Sequence, residues 1–524
     1  MHEAQPDQSA AIAAAMADPS FYPDPPARVE VCETHISWVF LAGDRAFKLR
    51  KPVVFPFLDY GTRERRRQMG EEELRLGRRL APTLYVGLRS IVARDGGFAL
   101  GEPDDPAATE PVVEMRRFDE RRTLAALLER GGVSDADIRD LASHIARFHA
   151  SADPAPAEST GAGRVARTVA DNLATLVDHA EVVGTSRLAA AHRFAIAFVH
   201  GRREQLEARA AGGHVRDCHG DLRAEHVILG ERGVEIFDPV EFNPGLRLID
   251  TASDLAFLAM ELIEARRDDL AELLVREYRA AGGDDGGDSL LGFYATYRAW
   301  VRAKVACLRA DELPPGRARD RHHDHARRLA PLAERLSWRA RGPLVLVVCG
   351  PSATGKTRIA EALAANGGGV HLSSDVVRKE LAGLDPATRA PLGEYSEEAS
   401  LATYRELGAR AAAEQRGAIV DATLRRRRHR DAFAAALGAT EPAPLFVECR
   451  ASAEVVAKRA HRREHEPGRV SDATAAIAAR QLVEFEPLDE VDPARHLIVR
   501  TDGELGETID AIIAGLDARL AQGR

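Results

Sequence analysis

The sequence predicts a multidomain chain in which an α+β domain is followed by an α/β domain built on a parallel sheet. Short runs rich in Val, Phe and Ile at residues 28–32, 36–41 and 45–50 indicate an antiparallel sheet near the N-terminus. After residue 343, strands and helices alternate, which is typical of a parallel sheet covered by helices. A length of 524 residues accommodates about two to four domains. We predict an N-terminal extension at 1–24, a first domain at 25–338 and a second domain at 343–524.

The remaining elements follow from hydrophobic periodicity and from turn residues. A charged helix is expected at 63–80, and the pattern is mainly helical from about 135 to 211. The same signals predict strands at 84–92, 98–100, 111–118, 344–349, 418–420 and 445–448, a hairpin formed by 226–229 and 234–237, and helices at 124–129, 249–308 and 358–365.

Composition excludes several classes of protein. The chain has 72 Lys plus Arg and 81 Asp plus Glu, so its net charge of −9 argues against a protein that coats nucleic acid. Apolar runs such as 344–349 are far shorter than the roughly 20 residues that cross a bilayer, and no secretion signal is recognisable at the N-terminus. The five cysteines are widely scattered, which suits reduced thiols, and we expect a cytoplasmic protein without a membrane partner.

A phosphate-binding loop is predicted at the start of the second domain. Gly350–Thr357 fits the pattern G-x-x-x-x-G-K-[ST] and lies between a predicted strand and a predicted helix. Backbone N–H groups of such a loop surround phosphate oxygens, Lys356 would reach the terminal phosphates, and the Thr357 hydroxyl would coordinate Mg²⁺. An ordinary glycine-rich turn is the alternative, but this position keeps one of only six lysines in the chain. The predicted ligands of ATP are Gly350, Pro351, Ser352, Ala353, Thr354, Gly355, Lys356 and Thr357.

Further polar residues follow this loop. Asp375 is placed to accept the proton of an acceptor hydroxyl that attacks the γ-phosphate, although an N-cap on a solvated helix is the alternative. Arg378 could hold an anionic part of the acceptor. Asp421 ends an apolar strand and suits Mg²⁺ binding, whereas the basic run at 425–430 is either a solvated face or a substrate contact. An arginine-rich flap over the transferred group is predicted to contain Arg459, Arg462, Arg463 and Arg469, with Arg459 and Arg463 as the substrate candidates.

A second set of phosphoryl-transfer residues lies in the first domain. Asp221, after His219 and Gly220, would accept the proton of an acceptor hydroxyl, and Asp238 would bind Mg²⁺ from the end of the hairpin. His219 is expected to brace the loop rather than to act chemically. Glu241, Asp250 and Asp254 follow Asp238, and assistance in metal binding by one of them is an alternative, but Asp250 and Asp254 are expected to cap and pin helices.

An ion pair is predicted upstream of this loop. Lys48 lies on a predicted strand and Glu73 on the following helix, so together they could orient the α- and β-phosphates of ATP. Glu71 and Glu72 adjoin Glu73, and an exposed glutamate-rich helix would look the same. The order of these residues along the chain, Lys48, Glu73, the His-Gly-Asp triplet and then Asp238, is therefore what predicts a phosphoryl-transfer site in the first domain.

Both halves resemble known families of kinases. Residues 343–517, through the motifs GPSATGKT, SSDVVRK and IVDAT, resemble the small P-loop kinases, such as gluconate kinase, adenylylsulfate kinase, polynucleotide 5′-kinase and the zeta toxins, which are often grouped as AAA ATPases. Residues 25–335, through AFKLRKPV, EEELRLGRRLAP, HGDL and FDPVEFNPGLRLIDTASDLAFL, resemble the aminoglycoside/choline phosphotransferase family. The resemblance implies a bilobal, protein-kinase-like α+β domain before a P-loop α/β kinase domain, as in bacterial bifunctional fusion proteins of this order.

The first domain departs from that family at two places. His226 occupies the position of the asparagine that usually binds metal in that family. The resemblance therefore predicts that His226 is a metal ligand, although imidazole suits Mg²⁺ poorly. Residues 33–37 stand where a glycine-rich loop would cover the phosphates, and they contain no glycine.

The sequence thus predicts an ATP- and Mg²⁺-dependent phosphotransferase with two kinase-like modules that acts on a hydroxyl of a small molecule, such as a sugar or an aminoglycoside. One alternative is a polynucleotide or nucleoside 5′-hydroxyl kinase in the second half with a degenerate, regulatory first half. Net acidity and few aromatic residues to stack on bases make nucleic acid the weaker expectation. A third hypothesis is a nucleotide-gated regulator. Neither the acceptor nor the oligomeric state follows from the residues.

Overall fold

The computed structural model describes residues 6–55, 58–94, 97–157, 160–230, 233–342, 344–385, 388, 390–439, 443–464 and 473–523. The strands are β1 (Val29–Glu33), β2 (Ser37–Ala42), β3 (Arg45–Arg50), β4 (Val54–Phe55), β5 (Leu58–Asp59), β6 (Tyr85–Arg94), β7 (Gly97–Gly101), β8 (Ala108–Arg116), β9 (Val215–Asp217), β10 (Val227–Gly230), β11 (Gly233–Ile236), β12 (Leu248–Asp250), β13 (Val345–Cys349), β14 (Val370–Ser373), β15 (Ala418–Asp421), β16 (Leu445–Arg450) and β17 (His496–Arg500).

The helices cover most of the remaining described chain. They are α1 (Pro6–Met16), α2 (Arg63–Gly77), α3 (Leu124–Glu129), α4 (Asp135–Ser151), α5 (Ala162–Thr175), α6 (Ala180–Val183), α7 (Thr185–Gly201), α8 (Arg203–Ala211), α9 (Pro244–Arg247), α10 (Thr251–Glu264), α11 (Asp268–Ala280), α12 (Asp288–Asp311), α13 (Arg317–Arg341), α14 (Lys356–Ala365), α15 (Ser374–Leu381), α16 (Glu397–Ala413), α17 (Arg427–Leu437), α18 (Ala453–Glu464), α19 (Ala475–Glu484) and α20 (Leu505–Leu520). Within the described ranges, no helix has both the length and the apolar character that crossing a membrane requires.

The chain forms two compact units that are discontinuous in sequence. The first contains Met1–Gly161 and Glu207–Gly287, and the second contains Ala162–Leu206 and Asp288–Arg524. Helices α12 and α13 therefore belong to the same unit as the parallel sheet, whereas the sequence assigned them to the first domain. The domain boundaries themselves stay a prediction, and Pro343, at the predicted start of the second domain, lies outside the described residues.

The first unit is built on a six-stranded antiparallel sheet in the order β1-β2-β3-β8-β6-β7, which confirms the predicted strands. Helix α1, from the predicted extension, covers one face because Ile12 and Met16 are fully buried against Phe40. On the other face, Leu74 of α2 packs into a cluster with Val113. This second face is where β3 and α2 bring their polar residues together.

Strands β9 to β12 of the first unit position two loops. Strands β10 and β11 form the predicted hairpin, and β9 pairs with β12. The first loop contains Gly220, which has φ +85° and whose added Cβ would lie 2.9 Å from the Leu246 carbonyl oxygen, so a side chain would clash here. The second loop contains Asp238, which has φ 59° although it is not glycine. Such a conformation costs free energy and is found most often at functional sites.

The second unit contains the predicted parallel sheet, with strand order β14-β15-β13-β16-β17. Leu407 and Phe433 are fully buried on one face of the sheet, and Leu363 and Ile512 on the other. The carboxyl ends of parallel strands lie at one edge of a sheet, where ligands of α/β folds bind. The loop after β13, the start of α15 and the end of β15 therefore meet at this edge.

Candidate active sites

The predicted phosphate-binding loop joins β13 to α14. Its backbone has positive φ at Gly350 (+136°), Ala353 (66°) and Gly355 (+97°). A Cβ at Gly350 would lie 2.6 Å from the Cys449 carbonyl oxygen, so only glycine fits there. Lys356 is buried, and its Nζ donates a hydrogen bond of 2.8 Å to the Pro351 carbonyl oxygen. The lysine thus lies across the loop, which is the position that contact with phosphate oxygens requires.

The residues expected to hold Mg²⁺ lie beside this loop. Thr357 lies in the first turn of α14, and Asp421 is buried at the end of β15, in register with Val348 of the adjacent β13. His371 Nε2 is 3.8 Å from Asp421 Oδ2. A hydroxyl and a carboxylate are the oxygen ligands that Mg²⁺ prefers, so these two residues fit the ion.

The predicted acceptor-side residues lie on α15. Ser373 occupies the N-cap position of this helix, so the alternative role of Asp375 as the N-cap is wrong. Asp375 is half-buried in the first turn. Arg378 is buried, its guanidinium lies 4.8 Å from the centre of the Tyr395 ring, and its Nη1 is 3.5 Å from Ser400 Oγ. Asp375 and Arg378 are therefore one helical turn apart, at the start of α15.

The basic run at 425–430 is neutralised by carboxylates. Arg425 Nη1 is 2.8 Å from Glu484 Oε2, and Arg428 Nε is 2.5 Å from Glu397 Oε1. Arg430 is buried and pairs with Glu490. Arg430 therefore contributes to the internal packing of this unit, whereas Arg428 is 53% exposed, so the choice between a solvated face and a substrate contact stays a prediction for the rest of the run.

Arg459 is the flap arginine that contacts the loop. Its Nη2 donates to the Thr501 carbonyl oxygen at 2.6 Å, and its Nη1 lies 3.5 Å from the Thr354 carbonyl oxygen. Thr501 Oγ1 also donates to the Thr354 carbonyl oxygen, at 2.6 Å. Arg462 and Arg463 lie on α18, where the structure describes the backbone of Arg463 but not its side chain. Arg469 lies outside the described residues.

The structure contains a contact between α19 and the phosphate-binding loop that the sequence does not predict. Gln481 Oε1 accepts a hydrogen bond of 2.8 Å from the Ser352 N–H. An amide N–H at this place in the loop is one of the groups expected to bind phosphate. Gln481 belongs to no motif, and a glutamine in a helix carries no signal that could have revealed the contact.

The first unit brings Lys48, Glu73 and Asp238 together. Lys48 Nζ is 3.0 Å from Glu73 Oε1 and 2.7 Å from Asp238 Oδ1. Burial disfavours the charged form of Lys48, but the carboxylates of Asp238 and Glu73 outweigh this effect and raise the pKa of the ammonium. Burial raises the pKa of Glu73, which is almost completely buried. The predicted ion pair is therefore present, and it extends to the predicted metal ligand.

Three further residues complete this cluster. Arg50 Nη2 contacts Glu73 and lies 3.0 Å from Glu241 Oε1, which also accepts a hydrogen bond of 2.6 Å from the Tyr60 hydroxyl. Burial and the Glu241 carboxylate raise the pKa of Tyr60. The sequence held a signal for Arg50, because residues 48 and 50 of a strand face the same side.

His219 has the bracing role that the sequence predicts. Its Nδ1 accepts a hydrogen bond of 3.3 Å from the Asp221 N–H, and its Nε2 lies 2.9 Å from the Phe237 carbonyl oxygen. A carbonyl oxygen only accepts, so Nε2 carries the proton and the ring is neutral. Burial agrees, since it lowers the pKa of His219. The ring thus connects the loop of Asp221 to the segment before Asp238.

Asp250 and Asp254 have different roles. Asp250 is the N-cap of α10 and accepts from the Ala252 N–H at 2.9 Å, as expected. Asp254 is fully buried on α10, but it holds the loop of Asp221, because it accepts from the N–H groups of His219 at 3.0 Å and Gly220 at 2.9 Å. Asp254 therefore supports this loop, whereas the sequence predicts that it pins a helix.

Asp221 and Asp238 face each other across His226. His226 Nδ1 is 3.6 Å from Asp221 Oδ2, and His226 Nε2 is 3.8 Å from Asp238 Oδ2. Burial favours the neutral form of Asp238, yet the positive charge of Lys48 lowers its pKa well below the ordinary value. The Asp238 carboxylate fits a divalent cation, whereas the nitrogen of His226 does not fit Mg²⁺, which demands oxygen ligands.

The folds and the two candidate sites define the class of the protein: a protein-kinase-like N-terminal region is followed by a C-terminal P-loop domain. The first unit has the antiparallel sheet, the Lys48–Glu73 pair and the loop of Asp221, and the second has the phosphate-binding loop at the edge of a parallel sheet. The AAA domain family matches residues 345–488.

Most of the chain matches proteins of mycobacteria. It is 34% identical over 461 residues to "Uncharacterized protein Rv2004c" of Mycobacterium tuberculosis (strain ATCC 25618 / H37Rv), an alignment that covers 86% of this chain and 89% of the relative. "Uncharacterized protein Mb2027c" of Mycobacterium bovis matches with the same values. The chain belongs to the family of these proteins.

Solved structures are similar to parts of the chain. A gluconokinase from Sinorhizobium meliloti 1021 is 26% identical and covers 34% of this chain and 94% of its own, with a TM-score of 0.26. A choline/ethanolamine kinase family protein from Mesorhizobium loti is 15% identical and covers 62% of this chain and 95% of its own, with a TM-score of 0.34. The aminoglycoside phosphotransferase APH(2'')-Ib, solved with ADP, is 12% identical and covers 59% and 94%, with a TM-score of 0.30.

Proposed function

We propose that this protein transfers the γ-phosphoryl group of ATP to a hydroxyl of a small molecule, such as a sugar or an aminoglycoside, and that it does so with two kinase modules, as in bifunctional fusion proteins of this order. The observation that carries the proposal is the position of Lys356, whose ammonium lies across the glycine-containing loop after β13, while Asp421 lies at the end of the adjacent strand β15. Such an arrangement binds a triphosphate together with its metal.

In the P-loop half, the loop amides and Lys356 hold the β- and γ-phosphates, and Thr357 and Asp421 hold Mg²⁺. When bound, Mg²⁺ neutralises charge on the phosphates. Asp375 accepts the proton of the attacking hydroxyl, and Arg378 binds an anionic part of the acceptor. Arg459 reaches the loop from α18, and Arg463, on the same helix, stays a proposed substrate contact.

In the first unit, Lys48 and Glu73 orient the α- and β-phosphates, Asp238 holds the metal, and Asp221 accepts the proton of the acceptor. Lys48 is shared by Glu73 and Asp238. Phosphate oxygens that approach Lys48 compete with the Asp238 carboxylate, and this competition frees the carboxylate to bind metal. Asp221 is about one third exposed, so an acceptor can reach it.

The alternative is a nucleoside or polynucleotide 5′-hydroxyl kinase whose first half is regulatory, and His226 favours it because a metal-binding asparagine is replaced. The pairing of Arg425, Arg428 and Arg430 with glutamates weighs against it, since a phosphate backbone would have to compete with these glutamates.

The test is a screen for ADP release across sugars, aminoglycosides, amino alcohols, nucleosides and oligonucleotides. Wild type is compared with Lys48→Ala, Lys356→Ala and, as a matched control, Lys458→Ala, which removes an exposed lysine of α18. We expect a small-molecule acceptor whose turnover falls at least about tenfold in one of the first two variants and not in the control. Turnover of every acceptor that is indifferent to Lys356→Ala would refute the role of the P-loop half. Indifference to Lys48→Ala would assign the first half a regulatory role.

A further inference from the structure

The two ring nitrogens of His226 have different surroundings. Nδ1 lies 2.9 Å from the Asp221 carbonyl oxygen. Because a carbonyl oxygen can only accept, Nδ1 carries a proton and donates it. In the neutral ring, Nε2 is then the nitrogen that keeps a lone pair. The ring is buried, so this orientation is held by its surroundings.

The Nε2 lone pair faces two carboxylates. It lies 3.8 Å from Asp238 Oδ2 and 3.5 Å from Glu225 Oε1, and the latter oxygen already pairs with Arg223, so Asp238 Oδ2 is the partner that matters. The other oxygen of Asp238 is bound by Lys48 at 2.7 Å, so Oδ2 is the oxygen available to a further cation. A nitrogen lone pair and carboxylate oxygens repel one another unless a cation lies between them. That cation is either a metal ion or a proton on Nε2.

The donor set distinguishes among metal ions. Bonds from a metal to imidazole nitrogen and to carboxylate oxygen are about 2.0–2.2 Å long, so atoms 3.8 Å apart are within reach of one ion. Imidazole suits first-row transition metals, whereas Mg²⁺ prefers oxygen. A histidine that binds metal usually donates its other N–H to a carbonyl or carboxylate, as His226 does to the Asp221 carbonyl.

We propose that the first unit binds a first-row transition dication, for which Mn²⁺ is the probe, through His226 Nε2 and Asp238 Oδ2. The P-loop half, whose candidate ligands Thr357 and Asp421 offer only oxygen, keeps Mg²⁺. One chain therefore has two sites with different metal preferences. The inference rests on the proposed nucleotide site of the first unit, because a metal bound by Asp238 has its use there in holding phosphates.

The test uses the full chain with Lys356→Ala and Thr357→Ala, which weaken the P-loop site, and with ¹⁵N-labelled histidine. Mn²⁺ is added, and pulsed electron paramagnetic resonance measures hyperfine coupling between the ion and nearby nitrogen. We expect histidine coupling in this protein, its loss in His226→Asn, and its retention in the matched control His323→Asn, which changes a histidine of α13. Mn²⁺ bound without histidine coupling, coupling that survives His226→Asn, or no bound Mn²⁺ at all would each overturn the proposal. The last result would assign a proton to Nε2.

A second measurement compares metal preference and separates this inference from the proposed function. His226→Asn supplies an amide oxygen, so the affinity for Mn²⁺ relative to Mg²⁺ should fall about tenfold or more. Binding of a fluorescent ATP analogue to the same P-loop-weakened chain is measured in parallel. Nucleotide binding without histidine coupling would refute the metal inference alone. Histidine coupling without nucleotide binding would refute the nucleotide site of the first unit alone.

Discussion

Arg50 connects two buried carboxylates of the first unit. It contacts Glu73 and Glu241, and all three side chains are at most 5% exposed. Buried ions are stable only when each is matched by an opposite charge or by several hydrogen bonds. Arg50 therefore fixes Glu73 in the orientation from which Glu73 contacts Lys48, and it acts as a positioning residue for the proposed phosphate contact.

We predict that Arg50→Gln lowers the free energy of unfolding by about 3–5 kcal/mol, because it leaves two buried carboxylates without their shared cation. The measurement is urea unfolding of the full chain. Arg45→Gln on the same strand is the matched control, since Arg45 is 35% exposed and lies 3.5 Å from Glu114. Its effect should stay below about 1 kcal/mol. Equal effects of the two substitutions would show that the buried cluster does not stabilise the fold.

The phosphate-binding loop is an element whose shape depends on one glycine. Gly350 has φ +136°, and an added Cβ would lie 2.6 Å from the Cys449 carbonyl oxygen in the neighbouring strand. We predict that Gly350→Ala weakens ATP binding by about ten- to hundredfold, because strain of about 1–3 kcal/mol displaces the amides. Calorimetric titration with ATP checks this. The control is Gly506→Ala in α20, where an added Cβ meets no atom within 4 Å, and unchanged affinity is expected there. Equal affinities of both variants would contradict the assignment of the loop.

Local patterns were sufficient to predict most of the elements. Strand β3 and helix α3 begin and end where the sequence predicted, because the tight turn before β3 and the Thr123 N-cap of α3 are signals within a few residues. Helix α1 was not predicted. The burial of Ile12 and Met16 depends on packing against Phe40, which is distant in sequence. The alanine-rich sequence of α1 does not predict this partner. The Lys48, Glu73 and Asp238 cluster was predicted because each residue belongs to a motif, whereas Gln481 was not.

At the scale of the whole chain, the grouping of helices depends on contacts that no local pattern encodes. Arg341 of α13 pairs with buried Asp517 of α20 at 2.5 Å, and Trp338 packs in a cluster with Leu346 of the parallel sheet. These partners are far apart in sequence, so the periodicity of α13 reveals only that one of its faces is buried. This is why α12 and α13 were assigned to the first domain although they pack with the second unit.

Two candidate sites in two units lead to a stoichiometry that can be measured. We predict that the full chain binds two ATP molecules. Lys48→Ala should lower the affinity for ATP at the site of the first unit, and Lys356→Ala should lower it at the phosphate-binding loop, each by about ten- to hundredfold. The reason is that each ammonium is placed for a charge-assisted hydrogen bond to phosphate. Isothermal titration with a non-hydrolysable ATP analogue measures the number of tight sites, and Lys458→Ala serves as the exposed control. The double variant should retain no tight site. A single tight site in wild type that only Lys356→Ala removes would mean that the Lys48–Asp238 ion pair, at 2.7 Å, is stable enough to exclude nucleotide from the first unit.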